Sequence, residues 1–343
     1  MRIGRKRRKR GYIPVLLFIG VLIAALVFAR LFLAWNTPAE DPGRDVAIEI
    51  PSGATLISAA EKLHDEGVIR SIRSFVLLGK IKGLTGKVQA GELKFRTDMT
   101  PVEALNVLSR GKAVAYSVTI PEGFTVRQIA ALLDSKGLVN EQRFLSLAED
   151  PAFSRSLGVP ADRLEGFLFP DTYFWPKGMP EEEILAKMVA RYRSVFDDSM
   201  KKRAAEMGMT ELETVTLASI VERETGVDRE RPMVSAVFHN RLKRGYRLQT
   251  DPTVIYGLGA DFDGNLTKKE LRKDTPYNTY TRKGLPPGPI ANPGEAALKA
   301  ALYPADAPYL YFVAKGDGSH VFSRNLVEHN RAVKRYQLKD KMR

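Results

Sequence analysis

Two acids share one short stretch, Leu217-Ala218-Ser219-Ile220-Val221-Glu222-Arg223-Glu224-Thr225-Gly226, and their spacing gives them different surroundings. Thr210-Glu211-Leu212-Glu213 reads as a capping box that opens a helix through this stretch, and Gly226 stops it. Glu224 follows Leu217, Ile220 and Val221 at helical spacings, so it lies on the main apolar stripe, in the last turn. Glu222 points about 160° away, onto the mixed face of Glu211, Val215 and Ala218. A carboxyl on an apolar face is disfavoured as an anion, and the carbonyl end of a helix disfavours it further. Such a group keeps its proton near neutral pH and can hand it to a leaving oxygen, as acid-catalysed glycosidic cleavage requires. The competing reading is a buried Glu neutralised by Arg223 or Arg241.

Other polar side chains suit a sugar substrate. Asp251 is the candidate second acid, or else the N-cap of a helix containing Val254 to Leu258. Gln249, Asn278, Tyr280 and Asn325 offer amide and phenol groups for hydroxyls and acetamides, or else hold their own loops together. Tyr173, Trp175 and Tyr256 either stack on sugar faces or pack in a core. The four histidines, His64, His239, His320 and His329, form no tight ligand pair, and cysteine is absent, so no metal site and no cofactor is expected. No P-loop, Rossmann fingerprint or Gly-x-Ser-x-Gly elbow occurs.

The elements that must position these residues read as α+β. A helix is expected from about Arg229 to Arg244, and another from Asn292-Pro293, as cap and first position, to Leu302. Tyr309 to Ala314 alternates as a strand, Gly316-Asp317-Gly318 turns, Val321-Phe322 begins the return, and a last helix runs from Leu326 towards Lys339. Upstream lies an internal repeat. Ile50-Pro51-Ser52-Gly53-Ala54-Thr55 recurs as Ile120-Pro121-Glu122-Gly123-Phe124-Thr125, and Ala60, Leu63 and Gly67 match Ala130, Leu133 and Gly137. Each copy predicts a strand, a glycine turn, a helix from the threonine and a glycine stop, with a second helix after it (Thr100-Pro101-Val102-Glu103 and Met179-Pro180-Glu181).

The chain has 343 residues with a formal net charge of +13, and an apolar fraction of 44% that is ample for one or two globular domains. Seven of its basic residues fall in the first ten positions. The mostly apolar run that follows reads as a transmembrane anchor over 12–35, with 1–11 as a cytoplasmic tail and Tyr12 and Trp35 at the interfaces. That context turns the basic run away from nucleic-acid binding and predicts a single-pass membrane protein with the rest of the chain outside the cytoplasm. Residues 36–45 form a polar linker, 46–160 a LysM-like strand–helix region, and 161–343 the catalytic domain.

The Glu224 segment resembles the endolytic murein transglycosylase (YceG-like) family. So do Arg247 to Gly257, Tyr277-Asn278-Thr279-Tyr280, Gly284 to Ile290, Glu165 to Tyr173 and Tyr309 to Val313. The resemblance covers essentially the whole chain. It implies non-hydrolytic cleavage of peptidoglycan between N-acetylmuramic acid and N-acetylglucosamine, leaving a 1,6-anhydro end. It implies a catalytic Glu within Val221 to Thr225; the Glu224-Thr225 pair is similar to the Glu-Ser pair of other lytic transglycosylases and favours Glu224 over Glu222. It also implies the bacterial inner membrane as location, nascent glycan as substrate and penicillin-binding proteins as partners. Two alternatives remain: a glycan-gripping scaffold without chemistry, and a muramidase that uses water.

Overall fold

The computed structural model describes residues 13–338. The basic tail expected at 1–11, and Tyr12, lie outside the described residues. The chain divides into two compact units: the first reaches to Ala115 and includes Pro176–Gly178, and the second holds Tyr116–Trp175 and runs on from Met179.

The first unit begins with α1 (Ile13–Trp35), followed by β1 (Asp45–Ile50), α2 (Leu56–Asp65), α3 (Ile72–Ile81), β2 (Gly91–Arg96) and α4 (Pro101–Arg110). β1 alternates exposed and buried residues, and its buried set pairs antiparallel with β2, Val46 opposite Phe95 and Ile48 opposite Leu93. That apolar face closes on Leu56, Ala59 and Leu63 of α2, Phe75 of α3 and Leu105 and Leu108 of α4. Thr55 caps α2 through its hydroxyl, and Thr100 with Glu103 forms the expected capping box on α4.

The transmembrane anchor expected over 12–35 is corrected here. Among the described residues no helix is long and apolar enough to cross a membrane. In α1 the charge-free part runs from Ile13 to Ala29 before Arg30 interrupts it. At ~1.5 Å per residue that part rises about 25 Å, short of a hydrocarbon core of ~30 Å. Phe28, Phe32 and Trp35 instead line an apolar cavity with Leu77, Leu78 and Ile81 of α3. The single-pass inner-membrane placement rested on that anchor and is withdrawn with it.

Apart from the end residues Ala115 and Pro176, the second unit contains β3 (Ala115–Thr119), α5 (Val126–Ser135), α6 (Glu141–Ala148), α7 (Pro151–Ser156), β4 (Thr172–Pro176), α8 (Glu181–Val195), α9 (Asp198–Glu206), α10 (Glu211–Glu224), α11 (Arg231–Lys243), α12 (Asp251–Leu258), α13 (Glu295–Leu302), β5 (Tyr311–Ala314), β6 (His320–Ser323) and α14 (Leu326–Val333). The repeat is structural as well as sequential. β1 and β2 pair across two intervening helices, and β3 and β4 pair across three. Thr125 caps α5 as Thr55 caps α2, and Gly53, Gly123, Gly67 and Gly137 all turn at positive φ.

α10 is the centre of this unit. Its capping box is present, and every residue from Thr214 to Val221 is buried, so the helix is enclosed around most of its girth. Three hydroxyls on it are satisfied locally or by a neighbour. Thr214 and Thr216 donate to carbonyls one turn back, and Ser219 Oγ accepts the Ile290 backbone N–H at 3.0 Å. Gly166 lies against Pro289 and Val215 with φ of +90°; a β-carbon there would collide with the proline ring.

Candidate active site

Glu224 is the last residue of α10, partly exposed where it fronts a groove of about 480 Å³. Arg241 of α11, Leu248, Gln249, Asp251 and Tyr280 line the groove on one side. The hairpin β5–β6, from Tyr311 to His320, and Leu326, His329 and Val333 of α14 line the rest. Burial above all, helped by the nearby Asp251 charge, pushes the Glu224 carboxyl up to about 7. A hydrogen bond from Thr250 and the Arg241 charge act the other way without cancelling the rise.

The Thr250 hydroxyl donates to Glu224 Oε1. Thr250 is itself fixed: its N–H donates to Thr279 Oγ1 at 3.1 Å, and its carbonyl accepts the Thr253 hydroxyl at 2.8 Å. Gln249 N–H donates to the Thr279 carbonyl at 3.2 Å. Gln249 holds φ of +52°, the only non-glycine described residue in the left-handed region, so the turn that presents Thr250 is a strained one.

Arg241 does not neutralise Glu224. Its Nε donates to the Leu310 carbonyl at 2.7 Å, its Nη1 to the Leu248 carbonyl at 2.6 Å, and the guanidinium lies over the Tyr311 ring at 5.0 Å. It braces both walls of the groove and leaves the acid without an ion pair. His320, on the hairpin wall, takes its orientation from Glu230, with Nδ1 2.8 Å from Oε2. His329 stacks on Tyr311 at 5.1 Å.

Glu222 is in the opposite situation. Arg231 Nη2 donates to its Oε1 at 2.8 Å and the Gly294 N–H to its Oε2 at 3.0 Å, with both side chains almost wholly buried. The acid on the mixed face is therefore a structural ion pair, and the acid on the apolar stripe is the unpaired one.

Of the other residues expected at a site, Gln249, Asp251 and Tyr280 join Glu224 in the groove. Asp251 is the first residue of α12 and not its cap; its Oδ1 accepts the Tyr280 hydroxyl at 2.6 Å. Asn278 is fully buried, and its amide donates to the carbonyls of Leu271 and Lys273 at 3.1 and 2.7 Å, which fixes a loop. Tyr173 donates to the Phe169 carbonyl at 2.6 Å and stacks on Trp175. Asn325 caps α14 by accepting the Glu328 N–H at 3.0 Å. These three are not brought to the groove.

Tyr311, His320 and His329 line the groove without being expected there, and the buried Thr250 bonds Glu224 without lining it. Thr250 sits inside the Gln249-Thr250-Asp251 motif, which carries a signal; in sequence the histidines are considered only as metal ligands. Asn292 was read as a helix cap, but Gly294 takes that position. Asn292 is instead a buried hub. Its Oδ1 accepts the N–H groups of Gly166 and Leu168, both at 2.9 Å. Its Nδ2 donates to the Phe124 carbonyl at 2.9 Å and to Glu165 Oε1 at 3.1 Å. Glu165 also accepts the Val126 N–H at the start of α5 and the Tyr256 hydroxyl. Burial pushes it up to about 7, although those donors and Arg163 and Arg127 pull it down.

Comparison with known proteins agrees with this architecture. The sequence model of the YceG-like family matches residues 48–335. A protein of Bacillus subtilis (strain 168) named endolytic murein transglycosylase is 35% identical over 87% of this chain and 86% of its own length. One of the same name from Streptococcus pneumoniae (strain ATCC BAA-255 / R6) is 28% identical over 95% of this chain and 65% of its own length. The crystal structure of a yceG-like protein from Listeria monocytogenes is similar with a TM-score of 0.57 and 34% identity, covering 84% of this chain and 99% of that one. On the extent of the family match and the identity to the B. subtilis relative, the chain belongs to the YceG-like family.

Proposed function

We propose that the protein is a peptidoglycan lytic transglycosylase that cuts between N-acetylmuramic acid and N-acetylglucosamine, with Glu224 as acid and then base. The observation that carries this reading is the unpaired Glu224 carboxyl, held protonated up to about 7 at a groove lined with amide and phenol groups. The names of the B. subtilis and S. pneumoniae relatives support the substrate and reaction class. Glu224 gives its proton to the glycosidic oxygen as the C1–O bond breaks, and the departing sugar leaves with a hydroxyl. The C6 hydroxyl of the same muramyl residue then bonds to C1, and its proton returns to the Glu224 carboxylate. Atoms balance without water, and the second carboxylate of an ordinary glycosidase is not required. The first unit, with its paired strands enclosing two helices, fits the LysM-like glycan-gripping role, and penicillin-binding proteins that extend the strand are the partners this reading calls for.

Digestion of murein in ¹⁸O-water, followed by mass spectrometry, is the test. The expected product is a 1,6-anhydro end without ¹⁸O. A reducing end carrying ¹⁸O would make the protein a muramidase, and no new ends would make it a binding protein.

The acid also fixes a pH profile. With Glu224 ionising at about 7, kcat/KM is expected to be level below that value and to fall as pH rises through it. Thr250→Val removes a hydrogen bond that favours the charged form, so the falling limb should move to higher pH. A limb that stays fixed or moves down in the variant would count against Glu224 as the titrating acid.

A further inference from the structure

A second cavity of about 480 Å³ opens beside the groove, lined by Arg247, Lys268, Leu271, Arg272, Tyr280 and Thr281. Tyr280 belongs to both, lining this cavity and the groove that holds Glu224. Three cations and no acid line the space. The acids of the surrounding segment are engaged elsewhere. Glu270 accepts the Thr267 N–H at 2.6 Å, and Asp274 takes the Arg282 Nε at 2.9 Å. Asp261 takes the Lys273 ammonium at 3.5 Å, and Asp251 takes the Tyr280 hydroxyl at 2.6 Å. Among the described residues, the side chains of Arg247, Lys268 and Arg272 have no hydrogen-bonding or ion-pairing partner. Elsewhere in this unit Arg143 pairs with Glu182, Arg191 with Asp171 and Arg282 with Asp274, while Arg163, Arg229 and Arg244 are likewise unpaired among the described residues; what sets Arg247, Lys268 and Arg272 apart is that they share one concavity.

Unpaired cations gathered in one concavity repel one another and hold a positive potential that an anion relieves. We propose that this cavity is a carboxylate subsite, which receives a free carboxylate of the peptide stem carried by the glycan strand lying in the groove. The inference rests on the reading that the groove takes peptidoglycan. A stem hangs from the lactyl ether of each muramyl residue. Cleavage anywhere along a strand therefore sets a stem beside the groove, within reach of a pocket that shares Tyr280 with it. The two guanidiniums suit the planar carboxylate with paired N–H donors, Lys268 adds a point charge, and Thr281 offers a hydroxyl. Sugar hydroxyls alone would leave the three cations uncompensated.

The test uses Glu224→Gln protein, so that ligand stays intact, and a muramyl-peptide tetrasaccharide with free stem carboxylates against the same compound with those carboxylates amidated. Calorimetry at low salt is expected to show the free acid binding about tenfold more tightly, a preference that weakens at high salt. In Glu224→Gln protein that also carries Arg247→Gln and Arg272→Gln, the ratio should fall towards one. Equal binding of the two probes by the parent protein, or a preference retained in the triple variant, overturns the subsite and leaves the glycan reading standing. Binding of neither probe overturns the glycan reading and the subsite with it. Because amidation alters the probe and not the protein, the first comparison holds whether or not the triple variant folds.

Discussion

Glu224→Gln is expected to cut murein cleavage at least a thousandfold while leaving the melting transition near that of the parent. The amide has the size of the acid, and its carbonyl oxygen still accepts the Thr250 hydroxyl. What it lacks is a proton to deliver. Glu222→Gln should behave in the opposite way. It keeps most of the activity, because Glu222 faces Arg231 and the Gly294 N–H and not the groove. It loses stability, because a buried guanidinium loses its closest well-buried counter-charge. The loss should be smaller than the ~3–5 kcal/mol of a fully orphaned buried ion, since Asp228 and Glu122 still face Arg231. Anhydro-product yield and urea unfolding of the two proteins decide the matter together. An active Glu224→Gln, or an inactive Glu222→Gln that folds, would transfer the chemistry to the other acid.

Asn292→Ala should cost the fold about 3–5 kcal/mol, enough to remove much of the stability of an ordinary domain. Truncation leaves the Gly166 and Leu168 N–H groups without an acceptor and the Phe124 carbonyl without its side-chain donor, all in a site closed to water. Asn292→Asp separates the contributions. It restores the acceptor for the two N–H groups but sets a second carboxyl against Glu165. Its deficit should therefore grow as pH rises from about 5 to 8 and both acids ionise. Urea unfolding at several pH values measures both, and a change under about 1 kcal/mol for the alanine variant would show that the hub is not what binds these segments.

Features of the chain governed by local chemistry were legible in its sequence. The capping boxes at Thr100 and Thr210, the glycine stops at Gly67 and Gly137, and the apolar stripe beneath Glu224 all act within a few residues, so spacing reveals them. Helix geometry put Glu222 and Glu224 on opposite faces, but what separates their fates is Arg231, which α11 brings to Glu222. The role of Asn292 was not legible, because Asn-Pro is a good helix start by local rules and its actual partners lie more than a hundred positions away. Asn278 and Tyr173 bond to carbonyls, and an amide or phenol looks the same in sequence whether it faces sugar or a carbonyl. The strand, turn and helix of the far wall, from Tyr311 to Val333, carry local signatures, but their placement opposite Glu224 is a product of tertiary packing and has none. The anchor expectation carries the apolar run past Arg30 to Trp35, whereas Arg30 ends the charge-free part of α1.

Glu165 and Glu224 share a property that reaches beyond catalysis. Both are pushed from 4.5 to about 7 by burial, so each holds a proton in the folded chain that it would release when unfolded at neutral pH. Folding is then linked to proton uptake, and the contribution of both groups is fully present below about 4.5 and declines as pH rises towards 7. Over that interval, mild acidification tightens the domain through the same protonation that keeps the Glu224 carboxyl neutral at the groove.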